Sequence, residues 1–421
     1  MSNRSRAGFL AIALTVVTLG GSPASEFAPL QAPDCELSPE LKAVTGHVLF
    51  RYQVSSEGAV EAIWELYGSA EPESYREDFI AHLRGCLESW RYTPATLGKI
   101  PVPVQMLMAF HYFEPEPHGA PAIDTPEGRS IPLRHFHIMR DEKLALASRL
   151  LEGPDYAEIA GKGWLVRTDV AADQRADLIA AIERAARVFD QAFPGAPEPT
   201  DASSLTVLLF RTKDEFNQVA AFDNILRMRG FLAGQYSPQE LTAYSSLGDQ
   251  PVELAIAVLV HEATHHLVHQ RLFQDGRPPP YWVNEGIATF VQLVRDMENL
   301  NLSHFDRGQH RSGDYRWLGQ GEHYLQVITR GQKSMPDLGA FLSQSPDLGP
   351  IDTDISYGLS WLIVHYLITG DQGAHREKFE SWLLTDARAG DGDSLLRALG
   401  TSEDALQGAL EKHRKKMRSS Y

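Results

Sequence analysis

The chain has 421 residues, of which 43% are hydrophobic and 22% are charged, so it has an ordinary globular composition and room for two or three domains. Its formal net charge is −16, and this excess of carboxylates argues against nucleic acid or an anionic membrane as a partner.

The first 24 residues have the composition of a secretory signal. Arg4 and Arg6 precede an apolar stretch at residues 8–20, and Ser22-Pro23-Ala24 supplies small residues for cleavage after Ala24. The apolar stretch is short for a membrane span, and no cysteine follows it that could accept a lipid. We therefore expect an exported chain, periplasmic or extracellular, with no membrane span after cleavage; an uncleaved anchor is the alternative.

The chain contains two cysteines, Cys35 and Cys86. In an oxidising compartment they could pair, and two buried thiols are the alternative.

Residues 32–117 have the pattern of a small separate domain. Alternating apolar residues predict strands at 47–54 and 59–66, with a turn at Gly58 between them. A helix is predicted at 75–90 and a third strand at 102–112, which gives the order β-β-α-β.

Three short motifs in this domain match a known family. They are Gly46-His-Val-x-Phe, Trp90-Arg-Tyr-x-Pro-Ala and Gly98-x-x-Pro-Val, and the domain resembles the C-terminal domain of TonB energy transducers. The resemblance implies a module that binds peptide segments, so an envelope protein is an expected partner of residues 32–117. The chain lacks the long proline-rich spacer of that family, so energy transduction is not expected. An accessory domain without a ligand is the alternative.

Residues 118–132 are predicted to be a linker, and residues 133–421 to form the second domain. Its first half alternates strands and helices, and its second half is largely helical, so the whole chain is predicted to be α+β. The predicted elements are strands at 164–168 and 205–210, a strand within 234–246 at the sheet edge near the site, and helices at 173–193, 213–222, 355–368 and within 378–417.

The sequence His261-Glu262-Ala-Thr-His265 lies in an apolar stretch that predicts a buried helix. Residues four apart share a helix face, so His261 and His265 can direct both imidazoles to one metal ion, with Glu262 beside it. A core helix with satisfied histidines is the alternative.

A second helix is predicted after the breaker at residues 274–280, with apolar residues at helical spacing. If the two helices pack antiparallel, Glu285 returns to the histidines and becomes a third ligand. Two histidines and one glutamate leave a coordination position open, as a catalytic zinc site requires.

These residues match a second family. His261-Glu-x-x-His265 followed by Trp282-Val-Asn-Glu285-Gly-Ile-Ala-Thr-Phe resembles the gluzincin metallopeptidases, in particular the secreted bacterial peptidase-MA-like families. The resemblance implies one Zn²⁺ on His261, His265 and Glu285, and hydrolysis of peptide bonds through a zinc-bound water with Glu262 as general base. The Gly-x-Met-Glu-Asn motif of the aminopeptidase branch is absent from the sequence.

Further candidates follow the metal motif. Tyr357-Gly-Leu-Ser-Trp resembles a Tyr-x-x-Ser-Trp sequence of related secreted gluzincins, which implies that Tyr357 donates its hydroxyl to the oxyanion; a tyrosine packed in a helix is the alternative. His365 and Tyr324 are weaker candidates for that role. Thr264 or Asn284 could orient the ligands.

Two other functions stay open at this point. The site could hydrolyse a bond other than a peptide bond, or the chain could be an envelope peptide-binding or partner-binding protein whose zinc domain is inactive.

Overall fold

The computed structural model describes residues 15–17, 29–31, 37–38, 40–41, 44–97, 100–113, 121–124, 130–198, 204–222, 234–248, 252–294, 337–343, 353–387 and 392–420. Helices and strands are numbered in chain order. The strands are β1 Thr15–Val17, β2 Pro29–Gln31, β3 Thr45–Val54, β4 Val60–Glu71, β5 Arg91–Tyr92, β6 Thr96–Leu97, β7 Ile100–Pro101, β8 Val104–Tyr112, β9 Ala122–Asp124, β10 Ser130–Pro132, β11 Ala157–Gly161, β12 Trp164–Thr168, β13 Leu205–Phe210, β14 Gly234–Ser237 and β15 Thr242–Ser246. The helices are α1 Arg76–Glu88, α2 Leu133–Leu151, α3 Ala172–Ala192, α4 Lys213–Phe222, α5 Val252–Leu267, α6 Tyr281–Leu293, α7 Leu338–Leu342, α8 Thr353–Thr369, α9 Arg376–Thr385, α10 Gly392–Leu399 and α11 Glu403–Ser420.

The chain forms two compact units. Residues 1–152 and 212–232 make the first, and residues 153–211 and 233–421 make the second. Helices accompany an antiparallel sheet in the first and a mixed sheet in the second, which confirms the predicted α+β class at this level.

The first unit is built on an antiparallel sheet in the order β1-β8-β3-β4. Alternate residues of β3, among them Phe50 and Tyr52, pack with Phe79 and Leu83 of α1 in the core, because side chains of a strand alternate between its faces. The predicted strands 47–54, 59–66 and 102–112 and the helix 75–90 are confirmed, although β4 continues to Glu71.

Two further features of this unit are strand β1 and a disulfide. β1 lies within the predicted signal segment and pairs with β8. Cys86 is in a disulfide, and its expected partner Cys35 lies outside the described residues. The signal peptide stays a prediction.

Helix α4 belongs to the first unit, although its neighbours in sequence, β13 and β14, belong to the second. Asp214 on α4 accepts a hydrogen bond of 2.6 Å from Arg51 of β3, and Phe216 and Val219 are fully buried. α2, which contacts α4, is also in the first unit. The sequence predicts that residues 133–421, which include both helices, form the second domain. The contacts instead group both helices with the first unit.

The second unit contains a five-stranded sheet in the order β11-β12-β13-β15-β14. β12, β13 and β15 are parallel, and the edge strands β11 and β14 are antiparallel to their neighbours. The central strand β13 is almost wholly buried, as its continuous apolar sequence predicts. β14 and β15 together replace the single strand predicted within 234–246.

Helices of the second unit pack on this sheet and on one another. α5 contacts β14, β15, α3 and α6, and α6 contacts α8. The α6–α8 contact is close at Gly286, where an added Cβ would lie 2.5 Å from the carbonyl oxygen of Ser360. A glycine is therefore required at this crossing.

Among the described residues, no helix combines the length and the hydropathy that crossing a bilayer needs.

Candidate metal centre

Helix α5 brings the two predicted histidines to one point. The ring centroids of His261 and His265 are 4.7 Å apart, and the Nε2 atoms of both rings face one carboxylate oxygen. Most residues of α5 from Ala255 onwards are buried; His265 is among them, and His261 is partly buried. The chain continues from α5 into a π-helical turn, Val268–Leu272.

The carboxylate oxygen belongs to Glu285 of α6. Its Oε2 lies 3.2 Å from Nε2 of His261 and 3.7 Å from Nε2 of His265. Tetrahedral coordination at about 2.0–2.1 Å would separate ligand atoms by about 3.4 Å, close to these two distances. All three donor atoms lie within 4.8 Å of one another, so they form a group that could hold a metal ion. The part of the chain that the structure describes contains no second group of three His, Cys, Asp or Glu ligands with this spacing.

The environments of the two glutamates separate their pKa values. Burial raises the pKa of Glu262 to about 7; the charge of His261 opposes this and the charge of Glu285 adds to it. Burial also acts to raise the pKa of Glu285, but the two histidines and a hydrogen bond from Tyr357 outweigh it and leave that pKa lowered. Glu285 is therefore the ionised ligand, and Glu262 is a carboxyl that can gain or lose a proton near neutral pH.

The two histidines also differ. Burial lowers the pKa of His265 to about 4, so this imidazole is neutral and can act as a ligand. Burial lowers the pKa of His261 as well, but the hydrogen bond and charge of Glu285, with the charge of Glu262, leave it raised. A metal ion that binds Nε2 of His261 would displace the proton from this atom.

Glu262 packs against the first residue of β14. A Cβ added to Gly234, the first residue of β14, would be 2.9 Å from Cγ and 3.0 Å from Oε1 of Glu262. Among the described strands, β14 pairs only with β15, so the strand that contacts this carboxyl is the outermost strand of the sheet.

Tyr357, on the first turns of α8, reaches the same cluster. Its hydroxyl hydrogen-bonds to Glu285, and its ring centroid is 6.1 Å from that of His261. The structure thus brings all five predicted site residues together, whereas the catalytic role of Tyr357 stays a prediction. His365 of α8 instead pairs with His413, with 2.8 Å between Nδ1 and Nε2, and Tyr324 lies outside the described residues.

The residues behind the ligands differ in part from the prediction. Thr264 donates to the carbonyl oxygen of Val260 in its own helix, so it does not orient a ligand. Burial lowers the pKa of His265, and the nearby side chain of Asn284 acts in the opposite direction. Within the described residues, neither Oδ1 of Asn284 nor Nδ1 of His265 makes a hydrogen bond of normal geometry.

Two contacts of histidines in α5 were not predicted from the sequence. Gln292 of α6 lies with its Oε1 3.2 Å from Nδ1 of His261. Tyr236 of β14 lies with its hydroxyl 3.2 Å from Nδ1 of His266. Gln292 follows Glu285 by seven residues, two helical turns, so both lie on one face of α6. This spacing alone does not indicate the contact with His261, which depends on how α5 and α6 cross.

The fold and the site define an α+β protein with a candidate metal centre. Its three candidate ligands come from two adjacent helices, and the carboxyl of Glu262 packs against the outermost strand of the described sheet. No protein-family model matches the chain, and no curated protein is significantly similar to it in sequence.

Proposed function

We propose that the chain is an exported zinc-dependent peptidase of the gluzincin type. The observation that supports this most directly is the convergence of His261, His265 and Glu285, whose donor atoms lie within 4.8 Å of one another, beside the buried carboxyl of Glu262. A core helix with satisfied histidines would not need a third ligand from a second helix.

Zinc is the ion that this donor set favours. Two imidazole nitrogens and one carboxylate oxygen suit Zn²⁺, and three protein ligands leave a position open for catalysis. When bound, zinc would lower the pKa of a coordinated water to about 7 and polarise the substrate carbonyl.

The chain's own residues supply proton transfer and orientation. Glu262, with a pKa raised to about 7, can accept a proton from water and return it to the leaving amine. Tyr357 can hydrogen-bond to the oxyanion of the tetrahedral intermediate if its hydroxyl turns from Glu285 to the substrate.

The sheet edge supports a peptide as the substrate. An extended peptide can hydrogen-bond to a free strand edge, and β14 would then hold a substrate backbone beside Glu262. This arrangement favours cleavage of peptide bonds over another hydrolysis. The antiparallel sheet of the first unit, with its TonB-like motifs, would bind an envelope protein partner.

The test is zinc content and casein cleavage, measured for the wild type and for Glu262→Gln. We expect one zinc per chain in both proteins and a loss of hydrolysis of about 10²–10⁴-fold in the variant, because the base is removed and the ligands remain. Glu183→Gln, at an exposed carboxyl of α3, is the matched control and should keep full activity.

Full turnover by Glu262→Gln would overturn the assignment of the base. A wild type that holds zinc and cleaves no unfolded protein would overturn the peptidase proposal and favour a binding protein.

A further inference from the structure

We propose that Gln292 is a positioning residue, which holds the His261 ring so that its Nε2 atom faces the metal position. The inference deepens the proposed function and rests on it. Its basis is the contact between Oε1 of Gln292 and Nδ1 of His261 at 3.2 Å, on the side of the ring opposite the 3.2 Å contact between Nε2 and Glu285.

This contact selects one form of the imidazole. A side-chain carbonyl oxygen only accepts hydrogen bonds, so Nδ1 of His261 must be the protonated nitrogen for the bond to form. The lone pair of Nε2 is then free for a metal ion. Histidines that bind metals commonly donate their second N–H to a carboxylate or carbonyl oxygen in this way.

Helix α6 explains how one element supplies both groups. Residues seven apart lie on the same helix face, two turns or about 10 Å along the axis. Glu285 contacts both histidines, and Gln292, two turns further along α6, contacts His261, the earlier of the two in α5. A shift of α6 would move the ligand and the orienting amide together.

His261 and His265 differ in what their Nδ1 atoms contact. Nδ1 of His265 makes no hydrogen bond of normal geometry within the described residues, whereas Nδ1 of His261 has Gln292. His261 is also the more exposed of the two, with 12% of its side chain accessible against 8% for His265. The hydrogen bond to Gln292 therefore gives His261 an orienting contact at Nδ1.

The acceptor in this contact is neutral. A carboxylate at position 292 would make the same bond to His261 but add a negative charge to a site that already holds Glu285 and Glu262. Exchanging the amide for a carboxylate therefore separates the effect of the acceptor from the effect of charge.

The experiment measures zinc affinity by competition with a chromogenic chelator, using the full chain. Gln292→Leu removes the acceptor with little change in volume, and Gln292→Glu keeps an acceptor. We expect Gln292→Leu to bind zinc about 10–100-fold more weakly than the wild type. Gln292→Glu should bind at least as tightly as the wild type. Gln407→Leu on α11 is the matched control and should leave the affinity unchanged.

A second readout is the visible absorption of the Co²⁺-substituted proteins, which reports the ligand geometry. We expect the spectrum to change in Gln292→Leu and to return towards the wild-type spectrum in Gln292→Glu. Circular dichroism of the chelator-treated proteins tests whether each variant is folded.

Equal zinc affinity and equal Co²⁺ spectra in Gln292→Leu and the wild type would overturn the inference alone. Equal weakening in Gln292→Leu and Gln292→Glu would also overturn it, because the loss would then follow from packing. A wild type that binds zinc without cleaving casein would overturn the proposed function alone. The difference in zinc affinity between the wild type and Gln292→Leu would still test the role of Gln292. A wild type that binds no zinc would overturn both.

Discussion

Tyr357 was predicted either to donate to the oxyanion or to be packed within its helix, and its contact bears on this choice. Its hydroxyl contacts Glu285, so the residue lies at the ligand cluster and is not only packed inside α8. Tyr357→Phe removes the hydroxyl and keeps the ring. We expect the variant to retain zinc and to lose about 10²–10³-fold in kcat, because an oxyanion donor acts mainly in the transition state.

The measurement is kcat and KM on a peptide substrate, beside the zinc content. Tyr156→Phe, at an exposed tyrosine of the second unit, is the control and should behave as the wild type. An unchanged kcat in Tyr357→Phe would limit this tyrosine to a structural contact with Glu285.

At the scale of single residues, the sequence predicted those contacts that helical spacing determines. His261 and His265 are four residues apart, and Glu285 falls early in a helix whose apolar residues fix its buried side. The partner of Nδ1 in His261 depends on how α5 and α6 cross, which spacing within one helix does not define. Gln292 was missed for this reason, and Thr264 was wrongly considered because its hydroxyl returns to its own backbone.

Strand β14 is the element that packs against the side chain of Glu262. Gly234→Ala would place a methyl group 2.5 Å from Cγ1 of Val258 and 2.9 Å from Cγ of Glu262, so either the strand or the base must shift. We expect a loss of about 10–100-fold in kcat/KM with zinc retained, since small displacements of a catalytic group are costly.

Steady-state kinetics of Gly234→Ala test this expectation. Gly85→Ala is the control: it lies in α1, and an added Cβ there meets no atom within 4 Å. It should leave activity unchanged and favour the helix by a few tenths of a kcal/mol or more. Wild-type kinetics in Gly234→Ala would show that the strand does not constrain the base.

At the scale of elements, the central strands and the long helices could be predicted because their apolar patterns are unambiguous. The predicted strand 205–210 and helix 213–222 have the observed bounds. The strand within 234–246 proved to be two strands around a turn in which Leu241 has a positive φ of 51°. A leucine gives no signal for that conformation, since the energy that enforces it comes from the pairing of β14 with β15.

Buried histidines should make the whole molecule less stable in acid. Burial, with the charge of His135, lowers the pKa of His47 to about 4, and burial, with the charge of His413, lowers that of His365 to about 3. Their ordinary pKa is 6.5, so below that pH the unfolded chain binds protons that the folded chain does not. The free energy of unfolding therefore falls as pH decreases from about 6.5 towards 4, by about 2 kcal/mol for each histidine at pH 5.

Urea unfolding at pH 7.5 and pH 5.0 measures this dependence. Glu262 acts in the opposite sense, because burial raises its pKa to about 7, so the comparison is made between the wild type and His365→Gln. The variant should lose about 2 kcal/mol less than the wild type between the two pH values. His137→Gln, at an exposed histidine, is the control. Parallel losses in His365→Gln and the wild type would contradict the assignment.

At the scale of the whole molecule, the sequence indicated two folded parts but not how the chain is shared between them. Composition and proline content predict a linker at 118–132, where the structure has the paired strands β9 and β10. The membership of α4 follows from the hydrogen bond of Asp214 with Arg51, 163 residues earlier in the chain, and from the burial of Phe216. Long-range contacts of this kind have no local pattern.

The membership of α4 has a consequence for the order in which the protein can fold during synthesis. Because α4 emerges from the ribosome only after β11, β12 and β13, the first unit lacks one of its own helices until part of the second has been made. The N-terminal part of the nascent chain therefore does not reach its final form ahead of the rest. A polypeptide that ends before residue 222 therefore lacks part of the first unit as well as most of the second.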